Sequence, residues 1–194
     1  MSRLLLMAVS FVAVSVFMRS ESLAETILLA GHRAVYNLSL LKSEGAKAPI
    51  QAQGSIIFEF SGSECQGYVQ NFHQSTEIQP VEGQAKFSEV FSATYEEPLN
   101  RGFSFKTATK IDNALTDRLE GVASRQNKNL TIRLKNKPGA PIIFQDEILF
   151  PTAHLRAILQ AANANKNLLE ARVYDGSGQG DKILQTLSII GKPL

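Results

Sequence analysis

Chemistry in this sequence of 194 residues could come from three histidines, one cysteine and one glycine-rich loop. The histidines are His32, His73 and His154. A zinc site needs three or four ligands converging on one point. None of the three has a second His, Cys or carboxylate at local ligand spacing, so structural roles are expected for all of them. The loop, Asp175-Gly-Ser177-Gly-Gln179-Gly-Asp181, sets oxygen-bearing side chains at alternate positions, as a calcium loop does. Its twelfth position should then be a bidentate glutamate, and it is Thr186. Glycine at every second place fits a tight hairpin better. Ser177 between Gly176 and Gly178 lacks the Gly-x-Ser-x-Gly spacing and strand-to-helix setting of a hydrolase elbow. Gly176-x-Gly178-x-Gly180 is followed by strand rather than helix, which removes a dinucleotide-binding turn. No nucleophile–base pair, metal set or cofactor fingerprint can be assembled, so no catalytic activity and no cofactor are expected.

Cys65 stands alone. It has no second cysteine nearby and no helix N-terminus to lower its pKa, which argues against redox catalysis. In an exported chain an unpaired cysteine points to an intermolecular partner, a free thiol or a partner absent from this sequence. A buried thiol packed as a small hydrophobe is the other reading. Asn37-Leu-Ser39 and Asn129-Leu-Thr131 fit the glycosylation pattern, which carries little meaning in a bacterial protein.

The elements that would position these residues are short apolar/polar alternations punctuated by turns, the pattern of half-buried antiparallel strands. His32 to Leu41 sets Ala34, Tyr36, Leu38 and Leu40 on one face, and Gly45 to Pro49 is a turn. Ser55 to Phe60 carries Ile56, Phe58 and Phe60 on one side; Gly62 and Ser63 then precede a long strand from Gly67 to Ile78 marked by Tyr68 and Phe72. Ala85 to Glu96 alternates Phe87, Val90 or Phe91, Ala93 and Tyr95 with polar neighbours. After a break at Pro98 to Gly102, strands are expected over Phe103 to Lys110, Asp117 to Ser124 and Leu130 to Leu134. Asn136 to Pro141 is a turn-rich connection, since proline fixes φ and glycine permits positive φ. One segment differs: over Pro151 to Asn165, Leu155, Ile158, Leu159 and Ala162 recur at helical spacing. Thr152 is the expected N-cap of this amphipathic helix, whose stripe should lie on the sheet. A last hairpin joins Leu168 to Tyr174 with Ile183 to Ile190. The chain is mainly β, with a sheet meander, a partly closed barrel or a sandwich as its candidate architectures.

The first 24 residues read differently. Arg3 precedes an apolar run from Leu4 to Met18, and the polar stretch Arg19 to Ser22 leads to Ser22-Leu23-Ala24, with small residues at −3 and −1. That is the layout of a secretory signal peptide cleaved between Ala24 and Glu25. The run, about 15 residues, is short of the roughly 20 needed to cross a bilayer. Residues 25–194 then form one β-rich domain, long enough to bury a sizeable core. No later run is long enough to span a membrane. The formal charge of +2 falls to +1 once Arg3, Arg19 and Glu21 leave, and the basic residues are scattered singly, so a nucleic-acid partner is not expected. Of 11 phenylalanines, two (Phe11 and Phe17) lie in the leader, and the other nine mostly sit on alternating strand positions. They fill an ordinary core, or they line a greasy cavity enclosed by a curved sheet and its helix.

Four stretches together resemble a known family: His32-Arg-Ala-Val-Tyr36-x-Leu38-x-Leu40, Cys65-x-Gly67-Tyr68, Leu149-Phe-Pro-Thr-Ala-His154, and Val173-Tyr-Asp-Gly-Ser177 with Gly180, Lys182, Thr186 and Ile190-Gly191. They resemble the EipB-like cell-envelope-integrity proteins of Gram-negative bacteria, over about Gly31 to Gly191. The resemblance implies a periplasmic β-spiral, a broken and strongly bent antiparallel barrel with one helix, similar in form to periplasmic lipoprotein carriers. It implies a non-enzymatic role in envelope integrity and stress resistance through protein partners. The alternative is carriage of a lipid or lipoprotein acyl chain on the concave face. It also implies a disulfide between Cys65 and a cysteine near the C-terminus, in a region this sequence does not contain, so that C-terminal strands and the partner cysteine are expected to be missing.

Overall fold

The computed structural model describes residues 27–137 and 139–192. The expected signal peptide and its cleavage point at Ala24 and Glu25 lie outside the described residues.

Eight strands follow one another as an antiparallel meander: β1 (His32–Ser39), β2 (Gln51–Ser63), β3 (Gly67–Gln79), β4 (Lys86–Glu96), β5 (Gly102–Ile111), β6 (Ala114–Gln126), β7 (Asn129–Leu134) and β8 (Ile142–Gln145). Each pairs only with its neighbours in sequence, so β1 and β8 are edges and the sheet does not close. The helix α1 (Pro151–Asn163) follows, and then a separate two-stranded ribbon, β9 (Leu168–Val173) with β10 (Leu184–Ile189). Mainly β, mostly antiparallel and with one helix, this is the fold class the alternation predicts, and its open sheet is the broken-barrel form that the family resemblance implies.

Several strands run further than the sequence pattern indicates. β5 and β6 continue to Ile111 and Ala114 and meet in a two-residue turn. Asp112 and Asn113 hold φ of 49° and 65° there. A hairpin loop of this length needs two residues at positive φ, which Asp and Asn tolerate. β2 begins at Gln51, before Ser55, because its partner β3 continues to Gln79.

Register divides the sheet into two faces. His32, Phe60, Gln70, Thr94 and Phe105 lie side by side across β1 to β5 on one face, and Tyr68, Glu96, Phe103, Ala123 and Ile132 share it. This inner face carries the core: Phe103, Phe105, Leu119, Ala123, Leu130 and Ile132 close on Ile148 and Phe150 from the segment before α1 and on Tyr174 after β9. Phe103 stacks on Phe150 with centroids 5.2 Å apart, and Tyr174 meets Phe105 edge-on at 5.9 Å. Edge and offset contacts of this kind add to the area that aromatic side chains bury.

The core is lopsided. It sits under β5 to β8, whereas the only side chains buried from β1 to β4 are those of Phe60, Tyr68 and Glu96. The apolar series expected to mark the buried side of β4 faces the other way. Phe87, Phe91, Ala93 and Tyr95 lie on the outer face, with Tyr95 37% exposed, and the inward partner of Tyr68 and Phe103 is Glu96.

Candidate functional site

The polar chemistry of the molecule gathers where α1 meets the inner face. Pro151 occupies the first helical position, suited to its fixed φ and missing N–H. That makes Phe150, with no side-chain acceptor, the N-cap, and places Thr152 inside the first turn rather than at the cap as expected. The acceptor comes from the sheet instead. The Glu96 carboxylate, 6% exposed, accepts the backbone N–H of Thr152 at 2.7 Å and of Ala153 at 3.0 Å. Negative charge at this end also suits the helix dipole. Burial nevertheless pushes the Glu96 carboxyl above its ordinary pKa, against these two hydrogen bonds and the nearby Arg156.

Arg156, one turn further along α1, donates from Nη2 to Tyr68 Oη at 3.2 Å and lies 3.1 Å from Glu64 Oε1. Its guanidinium sits over the Tyr68 ring, 5.6 Å from the centroid, and its Nε is buried without a hydrogen-bond partner. The segment leading into α1 is held as firmly. Asn100 Oδ1 accepts from the Phe150 N–H at 3.1 Å, and its Nδ2 donates to the Ile148 carbonyl at 3.2 Å. Arg125 donates to the carbonyls of Asn100 and Ile148 and lies 5.6 Å over the Phe150 ring. Four side chains from β4, the β4–β5 connection, β6 and α1 itself thus pin the N-terminal half of the helix and the segment leading into it to the sheet.

The apolar stripe of α1 does not lie on the large sheet as expected. The helix packs chiefly on β9 of the ribbon, and Leu155 is 44% exposed. A helix tied to the sheet at one end leaves space along its flanks. One cavity, of about 420 Å³, lies beside its first turn, walled by Leu29, Phe58, Phe60, Pro151 and Leu155 with His32 and Gln70 at its polar side. A second, of about 710 Å³, lies where Leu149, Ala157 and the ribbon meet and is more polar, with Glu147, Glu170 and Arg172 among its walls.

The histidines are dispersed. His32 tilts against Phe58 and Phe60 on the inner face, with Nδ1 3.0 Å from the Ala30 carbonyl. His73, on the outer face, stacks on Phe91 at 4.2 Å with Nε2 3.1 Å from Glu89. His154, on α1, faces Thr186 Oγ1 at 3.3 Å, and burial lowers its pKa. Among the described residues, no three His, Cys, Asp or Glu side chains are grouped to hold a metal ion. Cys65 is exposed at the turn between β2 and β3, which overturns the buried-hydrophobe alternative. No helix among the described residues is long and apolar enough to cross a membrane.

The glycine-rich loop serves the core. Its ends belong to an antiparallel pair, as expected, but the connection is longer than a tight hairpin. The Ser177 N–H donates to Asp175 Oδ1 at 2.9 Å, and Tyr174 Oη donates to the Gly180 carbonyl at 3.0 Å. Gly176, at φ +73°, lies so close to the Phe105 ring that a Cβ there would fall 2.6 Å from Cγ. On the β6 side Gly121 does the same, its ideal Cβ 2.6 Å from Phe105 Cζ. Bare backbone therefore makes room for the Phe105 ring from both elements.

The EipB-like family model matches residues 23–194. The chain belongs to the EipB-like family. The cell envelope integrity protein EipB of Brucella abortus (strain 2308) is 26% identical over 176 residues, 91% of this chain and 62% of that relative. The chain thus spans less than two thirds of the length of that EipB-like protein. A crystal structure from Brucella abortus, described as a β-barrel-like protein of the domain of unknown function DUF1849, superposes with a TM-score of 0.78 at 25% identity. The match covers 86% of this chain and 69% of that one, and it agrees with the open, barrel-like sheet of this member of the EipB-like family.

Sequence reasoning missed Glu96 and Arg156. A signal was present: in β4 the parity that opposes Tyr68 and Phe103 ends on a carboxylate, five residues beyond Phe91. A charge at an inward position seeks a partner. That partner, a helix N-terminus 56 residues away, is visible only in the fold.

Proposed function

We propose that this protein is exported to the periplasm and supports the integrity and stress resistance of the cell envelope without catalysing a reaction, acting through protein partners. The observation that carries this proposal is similarity over 91% of the chain to a relative named for cell envelope integrity. The geometry is in keeping with it. The strongest polar cluster, Glu96 with the first turn of α1 and Arg156 with Tyr68 and Glu64, is spent on holding a helix in place. The histidines lie on different faces and elements, and the one hydroxyl beside a histidine, Thr186 Oγ1 at 3.3 Å from His154, donates to the Ala171 carbonyl of the neighbouring strand.

Two measurements test this. Deleting the gene should raise detergent sensitivity, and supplying the chain in trans should restore resistance; unchanged sensitivity would refute the role. Exposed Cys65 gives the test of location, because a thiol reagent that cannot cross the inner membrane should label it in spheroplasts. Labelling only after lysis would place the protein in the cytoplasm.

A second function is favoured by one specific feature: the cavity of about 420 Å³ beside α1, walled by Leu29, Phe58, Phe60, Pro151 and Leu155. An apolar pocket with few polar groups is the form of a lipid site. In this reading the protein carries an acyl chain on the concave face. Native mass spectrometry after gentle extraction should then show a bound lipid, lost in Phe58→Glu; a clean apo mass in both would remove the carrier function.

A further inference from the structure

The outer face of the large sheet, opposite the core, is notched along its middle. In β4 the outward series runs Phe91, Ala93, Tyr95, so a single methyl stands between two rings. Register carries the notch across the strands. Arg33, Glu59, Asn71, Ala93, Lys106 and Glu120 lie side by side from β1 to β6, a span of about 24 Å at the usual strand spacing. Asn71, Ala93 and Lys106, at its centre, are exposed. Concavities of about 480 and 280 Å³ open along this line, and Ala93 and Lys106 wall both of them. Phe91, with His73 stacked on it, bounds the trough on one side and Tyr95 on the other; their backbone positions are about 13 Å apart along β4. The strands that build it, β3 to β6, are each paired on both sides, so its shape does not depend on the edges of the sheet.

The walls are fixed and the charge is unbalanced. Tyr95 Oη donates to the Gln66 carbonyl at 3.0 Å, and its ring rests against Gly67, whose ideal Cβ would fall 2.8 Å from Cε2. The ring is thus held in place while 37% of the residue stays exposed. An aromatic surface ordered in advance loses little freedom when a ligand meets it. Lys110 Nζ lies 5.4 Å over the Phe91 ring. Arg33 pairs with Glu59, and Glu120 is shared by Arg118 and Lys135. Lys106 and Lys110 make no ion pair among the described residues. Cations therefore outnumber carboxylates around the trough, and Lys106 stands unpaired at its centre.

We propose that this trough binds an acidic polysaccharide, a glycan strand lying across β2 to β6 with a carboxylate on Lys106 and the carbon face of a sugar ring against Tyr95. Side chains along the floor match what a sugar offers. The Asn71 amide both donates and accepts, Glu59 accepts from hydroxyls, and Lys106 donates to an anion. An extended peptide fits less well. The strands beneath spend their backbone groups on each other, so a peptide crossing them would find no ladder for its own N–H and C=O groups. A glycan of hydroxyls and carboxylates has no such groups to satisfy. A flat membrane surface would ride on the rings of Phe91 and Tyr95 and leave the Ala93 floor untouched.

Isothermal titration calorimetry with a galacturonic-acid hexamer is the test, beside a neutral glucose hexamer. The acidic hexamer should bind, and the neutral one should bind roughly tenfold more weakly or worse. Added salt should weaken the acidic hexamer by screening its carboxylates. Lys106→Gln removes the central charge without setting a second carboxylate opposite Glu120, and should cost roughly tenfold or more in affinity. Ala93→Phe fills the notch with a residue suited to a strand and should do the same. Both positions are exposed, so both variants should melt with the parent chain. Amide shifts on titration should centre on Asn71, Ala93 and Lys106. No binding of the acidic hexamer at millimolar concentration, equal binding of the neutral one, or affinity indifferent to both variants would overturn the proposal. Tighter, Lys106-dependent binding of a glutamate hexapeptide would also overturn it, assigning the trough to an acidic polypeptide. The same result with phosphatidylglycerol vesicles would assign it to a membrane surface instead.

Discussion

Glu96→Ala tests how α1 is held. The substitution deletes an acceptor shared by the Thr152 and Ala153 N–H groups, which have no intrahelical partner in the first turn. A hydrogen bond to a charged group contributes about 1.5–3 kcal/mol, and loss of a helix cap typically costs about 1 kcal/mol. Two such bonds would sum to roughly 3–6 kcal/mol. Relief of the buried carboxylate offsets part of that sum, because burial outweighs the hydrogen bonds in setting its pKa. The expected net loss is therefore about 2–4 kcal/mol, or roughly 5–15 °C in Tm for a domain of this size. Urea and thermal melts followed by far-ultraviolet circular dichroism measure it. Glu96→Gln keeps one acceptor, turns an amide N–H toward the other donor, and should fall between. The pH dependence has a defined sign. Glu96 binds its proton more tightly folded than unfolded, so its contribution is fully present below the ordinary carboxylate value and declines as pH rises through the raised folded value. The stability lead of the natural protein over Glu96→Gln should accordingly shrink as pH climbs through that window. Glu96→Ala within about 0.5 kcal/mol of the natural protein, or a lead that grows with pH, would refute the capping account.

Three further outcomes follow from the core and the helix. Tyr174→Phe keeps the buried ring but strands the Gly180 carbonyl, and should cost about 1–2 kcal/mol in a urea melt. Gly121→Ala drives a methyl to within 2.6 Å of Phe105 Cζ and 3.1 Å of the Arg133 carbonyl; an overpacking loss of about 1–3 kcal/mol is expected, relieved by adding Phe105→Leu. His154 is the acid-sensitive element on α1. Its folded pKa lies below its ordinary value of 6.5 through burial, so its contribution is intact above about that pH and is lost as pH falls toward the folded value. His154→Gln should flatten the decline in urea midpoint below that pH, and an unchanged slope would remove His154 from the acid response.

The antiparallel class and the longer strands could be read from alternation, and the single helix from its own spacing, because each rests on local repetition: a strand with apolar residues at every second place has few other ways to bury them. Boundaries failed where a long-range partner decided them. β2 starts at Gln51 because β3 extends to meet it, and β5 with β6 meets in a turn made possible by Asp112 and Asn113. The N-cap was misplaced at Thr152 for a related reason. Hydroxyl preference is a local rule, and here a glutamate from another element overrode it. The outward series in β4 belongs to the same event. Taking Glu96 inside commits the strand's parity, which carries Phe87, Phe91 and Tyr95 to the outer face; they still pack there through the His73–Phe91 stack and the Tyr95 Oη bond to the Gln66 carbonyl. One buried carboxylate thus settles both where the helix begins and which face of β4 is wet, and alternation alone could not have revealed that coupling.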